Sequence, residues 1–84
     1  MNKDIDNLKF WKDHMEAAET NMNTTLRMID SILEIVESPQ NMESSPELCN
    51  DVRALSVRIR SSITERLIAL EDLLGFLKEY EIKK

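Results

Sequence analysis

Apolar residues recur at heptad spacing through the first half of the chain. Leu8, Met15, Met22, Ile29 and Val36 lie seven residues apart, and Trp11, Ala18, Thr25 and Ile32 interleave with them at steps of three and four. Only Thr25 departs from the pattern. Such an alternation, held over four heptads, marks a helix that packs along a seam against another helix. It predicts helix 1 over residues 4–37, with Asn2 or Asp4 as N-cap and acidic residues in the first turn suiting the helix dipole. A second stripe predicts helix 2 over 46–81: Leu48, Val52, Leu55, Ile59, Ile63, Leu67, Leu70, Leu74 and Leu77. The steps from Ile59 to Ile63 to Leu67 are both four residues, a stutter that locally unwinds a left-handed supercoil.

The two stripes are separated by a polar linker over 38–45 that opens with Ser38-Pro39. Pro39 biases Ser38 away from the helical region and ends helix 1. Ser45 is a good N-cap for helix 2, with Pro46 at the first helical position, where a missing N–H costs nothing. A shifted alternative has Ser44 as the cap, with Glu47 closing a capping box. A linker this short joins antiparallel neighbours. The expected fold is therefore all-α: a single-domain antiparallel two-helix hairpin.

Composition sharpens this picture. One Gly and two Pro among 84 residues leave no turn chemistry for a sheet. A hydrophobic content of 42% with clear periodicity argues against disorder. A chain of this length has a thin core and leans on staples or self-association. The one cysteine, Cys49, excludes an internal disulfide and fits a reducing compartment, so the cytoplasm is the expected location. A formal net charge of −5 argues against nucleic acid as partner. There is no apolar run long enough to span a membrane. The first residues, acidic and without an apolar stretch, do not read as a signal peptide.

Candidate chemistry is sparse. His14 is the only histidine, and Trp11 stands where a Glu-x-x-His metal motif needs its glutamate. Phosphotransfer through His14 would bring a phosphoryl group against Asp13 and Glu16, so a solvated surface histidine is the favoured reading. Cys49 sits near a helix N-terminus, which lowers a thiol pKa, but Glu47 and Asp51 oppose that effect; an inert, partly buried thiol is favoured. Arg53, Arg58, Arg60 and Arg66 crowd helix 2. They are a candidate docking site for an acidic partner, weighed against pairing with Asp30, Glu34, Asp51 and Glu65 within the chain. Gly75 interrupts a strong helix, and folding the chain about the linker, near Asn41, would place it near Leu8 and Trp11, making room for the Trp11 ring. No catalytic, cofactor-binding or metal-binding residue is expected.

The apolar faces are too wide for a lone hairpin. The second halves of both helices spread apolar residues over about half the circumference. Met28, Ile35, Leu73, Phe76, Leu77 and Tyr80 are the expected interface residues. An antiparallel homodimer forming a four-helix bundle would cover them. The expected role is a small non-catalytic adaptor, co-chaperone or regulator that offers helical surface to a second protein partner. The alternatives are an assembly subunit that only oligomerises and, further off, a helical-bundle enzyme or phosphotransfer protein.

Overall fold

A computed structural model describes residues 3–83, with side chains over residues 7–79. Capping by Asn2 or Asp4, and the Tyr80 side chain, lie outside what is described. The described chain is all-helical: α1 (Lys3–Val36), α2 (Pro39–Ser44) and α3 (Pro46–Lys83). The long α1 packs against the long α3 as a hairpin. The result is a rod of 64 × 18 × 15 Å.

The linker is itself a helical turn. Ser38 is extended (φ −63°, ψ 127°), and Pro39 then opens α2 at its first position. One proline thus ends α1 and starts α2. Ser45 and Pro46 repeat the arrangement seven residues later and start α3, with the Cys49 amide donating to the Ser45 carbonyl (3.0 Å). Ser44 belongs to the last turn of α2, which leaves Ser45 as the cap position. Asn41 holds the reversal together. Its side-chain amide donates to the Ile35 carbonyl (2.8 Å), and its own carbonyl accepts from the Ser45 amide (2.9 Å), the Ser44 hydroxyl (3.3 Å) and the Cys49 thiol (3.4 Å).

Because α2 is inserted, the hairpin folds about Ser45 and not about Asn41. The ion pairs Arg53–Glu37 and Arg60–Asp30 fix that register, since each is centred on residue 45. The shift overturns the expected meeting of Trp11 with Gly75. Trp11 is 55% exposed. A Cβ built on Gly75 meets nothing within 4 Å, so this residue faces open space.

One of the two predicted lines of α1 is in the seam, over Met15, Met22, Ile29 and Val36, with Leu26 and Leu33 beside it. Leu8 on that line is exposed, and on the other line Ala18 and Thr25 are half-buried while Trp11 and Ile32 are exposed, because the seam is rotated toward Leu26 and Leu33. The seam of α3 is not the expected one. Cys49, Ser56, Ile63, Leu70 and Leu77 are buried or half-buried at an unbroken seven-residue spacing, while Leu48 and Leu55 are 64% and 57% exposed. The stutter through Ile59 is therefore not in the seam: the aliphatic residues leave it, and the buried positions keep the heptad. Extending Leu74 and Leu67 backwards by sevens reaches Arg60 and Arg53, whose guanidinium groups reach out to carboxylates of α1. Near the turn, Ile29, Leu33, Val36 and Cys49 form the core, closed by Met42 of α2 and Val52 of α3.

With open space around it and no left-handed backbone, Gly75 only weakens its helix. Gly75→Ala should raise stability by about 0.5–1 kcal/mol, measured as a higher urea midpoint at unchanged slope. Asn41→Ala removes the amide that caps Ile35 and should cost about 1 kcal/mol by the same measurement.

Candidate interaction surface

The two ion pairs lie on one flank of the α1–α3 seam. Arg53 Nε is 3.0 Å from Glu37 Oε2, and Arg60 Nε is 3.4 Å from Asp30 Oδ1. All four side chains are about half exposed, so each pair contributes about 0–1 kcal/mol. At about 100° per residue, Met28, Ile32 and Ile35 lie on the opposite flank of α1. Leu48, Leu55 and Ile59 occupy the matching flank of α3. Folding about Ser45 puts Ile35 level with Leu55, and Ile32 level with Ile59. These six residues are 38–64% exposed and form one apolar face beside the turn. A second, smaller apolar group lies on the same side toward the open end, with Phe10 (55%), Leu73 (44%) and Phe76 (72%). Between the two groups the face carries Asn21, Thr24, Ser62 and Arg66.

Of the residues singled out from the sequence, Met28, Ile35, Leu73 and Phe76 are exposed, whereas Leu77 is half-buried in the seam. Ile32, Leu48, Leu55 and Ile59 join the face because α3 turns Cys49 and Ser56 inward. Hydrophobicity favours the leucines for the seam, and nothing in the sequence marks Cys49 and Ser56 as the residues that turn inward. The four arginines do not converge. Arg53 and Arg60 share the ion-pair flank, Arg66 sits in the polar belt of the apolar face, and Arg58 lies at the outer edge of that face, five turns from Phe76 at the same azimuth.

Other chemistry-bearing groups have local partners. The exposed His14 ring stands edge-on to Phe10 at 4.4 Å and tilted to Trp11 at 5.7 Å. Cys49 is 4% exposed, with its thiol turned to the Asn41 carbonyl. Thr25, the polar residue of the α1 seam, donates to the Asn21 carbonyl one turn back (3.0 Å). A shallow groove runs along α3 beside Gly75, between Glu71, Asp72, Phe76 and Glu79. One helix supplies all of its lining, so it is the dent left by the missing glycine side chain. Among the described residues no His, Cys, Asp or Glu side chains group in threes as metal ligands, and no helix is long and apolar enough to cross a membrane.

No protein-family model matches the chain, and neither a curated protein nor a solved structure does. The surface alone carries the functional argument.

Replacing Arg53 and Arg60 together by Glu sets carboxylates against Glu37 and Asp30. Because the groups are half exposed, thermal unfolding should shift by only a few degrees, in line with about 0–1 kcal/mol for each pair. Loss of the folded state at 25 °C would show that these pairs carry the hairpin.

Proposed function

We propose that the chain is a small non-catalytic protein-interaction module, an adaptor or regulator that works by burying the apolar face of its hairpin against other helices. The homodimeric four-helix bundle is its simplest closed form. The observation that supports this is the uneven spread of the surface: six large aliphatic residues are contiguous on one flank, whereas the flank of the ion pairs exposes Leu8, Val57 and Ile68 apart from one another. Exposed apolar residues scattered singly need no explanation, but a contiguous face of this kind marks an interaction surface. Its residues come from two helices in fixed register, so it offers parallel ridges into which partner helices can pack. A helix laid in such a groove contributes anchors at steps of three and four, the pattern already present along α1 and α3.

The reading is tested by charging the face. Ile35→Glu with Leu55→Glu should abolish association, read by light scattering at micromolar concentration. Neither side chain lies in the seam, so helix content should persist. Val57→Glu with Ile68→Glu makes a matched control, because both residues are exposed on the other side of α3, 43% and 56%; it should leave association unchanged. Equal behaviour of the two variants would overturn the assignment of the face.

A further inference from the structure

We infer that the apolar face is the seat of a single helix from a different protein, one whose aliphatic stripe is interrupted at mid-length by a carboxylate that meets Arg66. This rests on the reading of that face as an interaction surface and names the chemistry of what covers it.

The face has an inner order on α3. Ile59, Arg66 and Leu73 stand seven residues apart on one line. Leu48, Leu55 and Ser62 begin the next line, which continues through Ala69 to Phe76. The two lines interleave at steps of three and four, beside the seam that α3 makes with α1. They form a second heptad stripe, the pattern by which one helix receives another. Arg66 is the one charged residue on these lines between Leu48 and Phe76. On α1 the face runs from Phe10 to Ile35 with no Asp, Glu, Lys or Arg, and His14 is its one titratable side chain.

Arg53 and Arg60 each have a carboxylate of α1, but Arg66 makes no ion pair among the described residues. The side chains three and four residues from it are Ser62, Ile63, Ala69 and Leu70, and α1 presents Asn21, Thr24 and Thr25 at its level. The middle of the face therefore gathers a guanidinium, an amide and hydroxyl groups, and offers them no anion. Covering an unpaired guanidinium is costly. A carboxylate on the covering helix removes that cost, since it accepts two parallel N–H bonds from the guanidinium. One polar residue in a core line also fixes the register of the helix laid against it.

A second copy does not supply this carboxylate from its own face. It brings another Arg66 and the same inner lines, so a two-fold packing centred on the belt sets one guanidinium beside the other. The carboxylates on this side of α3 stand on the outer edge, where Asp51, Arg58, Glu65, Asp72 and Glu79 follow one another at intervals of seven. They flank the stripe as charged residues flank a coiled-coil seam, and four of the five call for lysines beside the partner's stripe. A single helix in the groove between α1 and α3 touches both and closes a three-helix bundle.

The test uses two synthetic helical peptides of about four heptads, the span from Leu48 to Phe76. Both carry a leucine stripe with lysines beside it, and one central stripe position is Glu in the first and Lys in the second. The polar belt lies near the middle of the span, so the central position reaches it in either direction. Anisotropy of the labelled peptides reads binding. The Glu peptide should bind at least about tenfold more tightly than the Lys peptide. Arg66→Glu should reverse that order with helix content unchanged, because Arg66 is exposed and off the seam. Equal binding of the two peptides, or an order that Arg66→Glu leaves alone, would overturn the proposal. Failure of both peptides to bind would overturn it too; loss of self-association in Ile35→Glu with Leu55→Glu would then leave the face standing, with a second copy as its occupant. Tight binding of the Glu peptide that Ile35→Glu with Leu55→Glu leaves intact would overturn the face itself.

Discussion

The structure depends on where the chain reverses. Two Ser-Pro steps seven residues apart, Ser38-Pro39 and Ser45-Pro46, bracket a single helical turn. Each proline starts a helix at a defined residue, because its fixed φ suits the first helical position and its missing N–H is not needed there. Fixing the first residue of α3 also fixes which way every later side chain points. Moving that start by one residue would rotate α3 by about 100° and exchange Cys49 and Ser56 for their leucine neighbours. The observed rotation puts small side chains where the helices meet beside the turn, and it carries Arg53 and Arg60 to the edge where Glu37 and Asp30 accept them. Asn41 secures the arrangement from within, by serving both the end of α1 and the start of α3.

A hairpin made this way has one seam and therefore a thin core. No described side chain is completely shielded from solvent, and Ile29, Leu33, Val36, Leu70 and Leu74 are the aliphatic residues that count as buried. Each contributes on the order of 1.5–3 kcal/mol, against the ordering of a long chain. Turning Leu48 and Leu55 outward gives up stability that a different rotation of α3 would have kept within the monomer. That apolar area is left on the same flank as Met28, Ile32 and Ile35. The division of labour is between a seam that sets the shape and a face that has yet to be buried.

Much of the fold was legible in the sequence, for identifiable reasons. Prolines and their preceding serines marked the helix boundaries, and the heptads of α1 marked its seam from Met15 to Val36. The rotation of α3 was not legible. Leu48 and Leu55 are more hydrophobic than Cys49 and Ser56, so periodicity alone favours the leucines. The choice was made by the register of the reversal, a tertiary property. The same preference leaves Leu48, Leu55 and Ile59 out of the apolar face, although Met28 and Ile35 stand off the seam in the pattern itself. The helical turn α2 had a signal in the repeat of Ser-Pro at a spacing of seven. Reading that repeat as a helical turn moves the fold point from Asn41 to Ser45 and separates Trp11 from Gly75.

The tight reversal also has a consequence for the order in which the hairpin forms and comes apart. The core cluster of Ile29, Leu33, Val36, Met42, Cys49 and Val52 is drawn from 24 consecutive residues, so it closes with little loss of chain entropy. Pairs farther from Ser45 are separated by ever more chain, but each has its path shortened once the pairs nearer the turn are made. Such a hairpin zips from the turn outward and frays from its free ends inward, with local opening graded along the rod. Its weakest segment is the end that carries Phe10 and Trp11. A clamp on that end stabilises it where opening begins, and slows the unzipping of everything behind it.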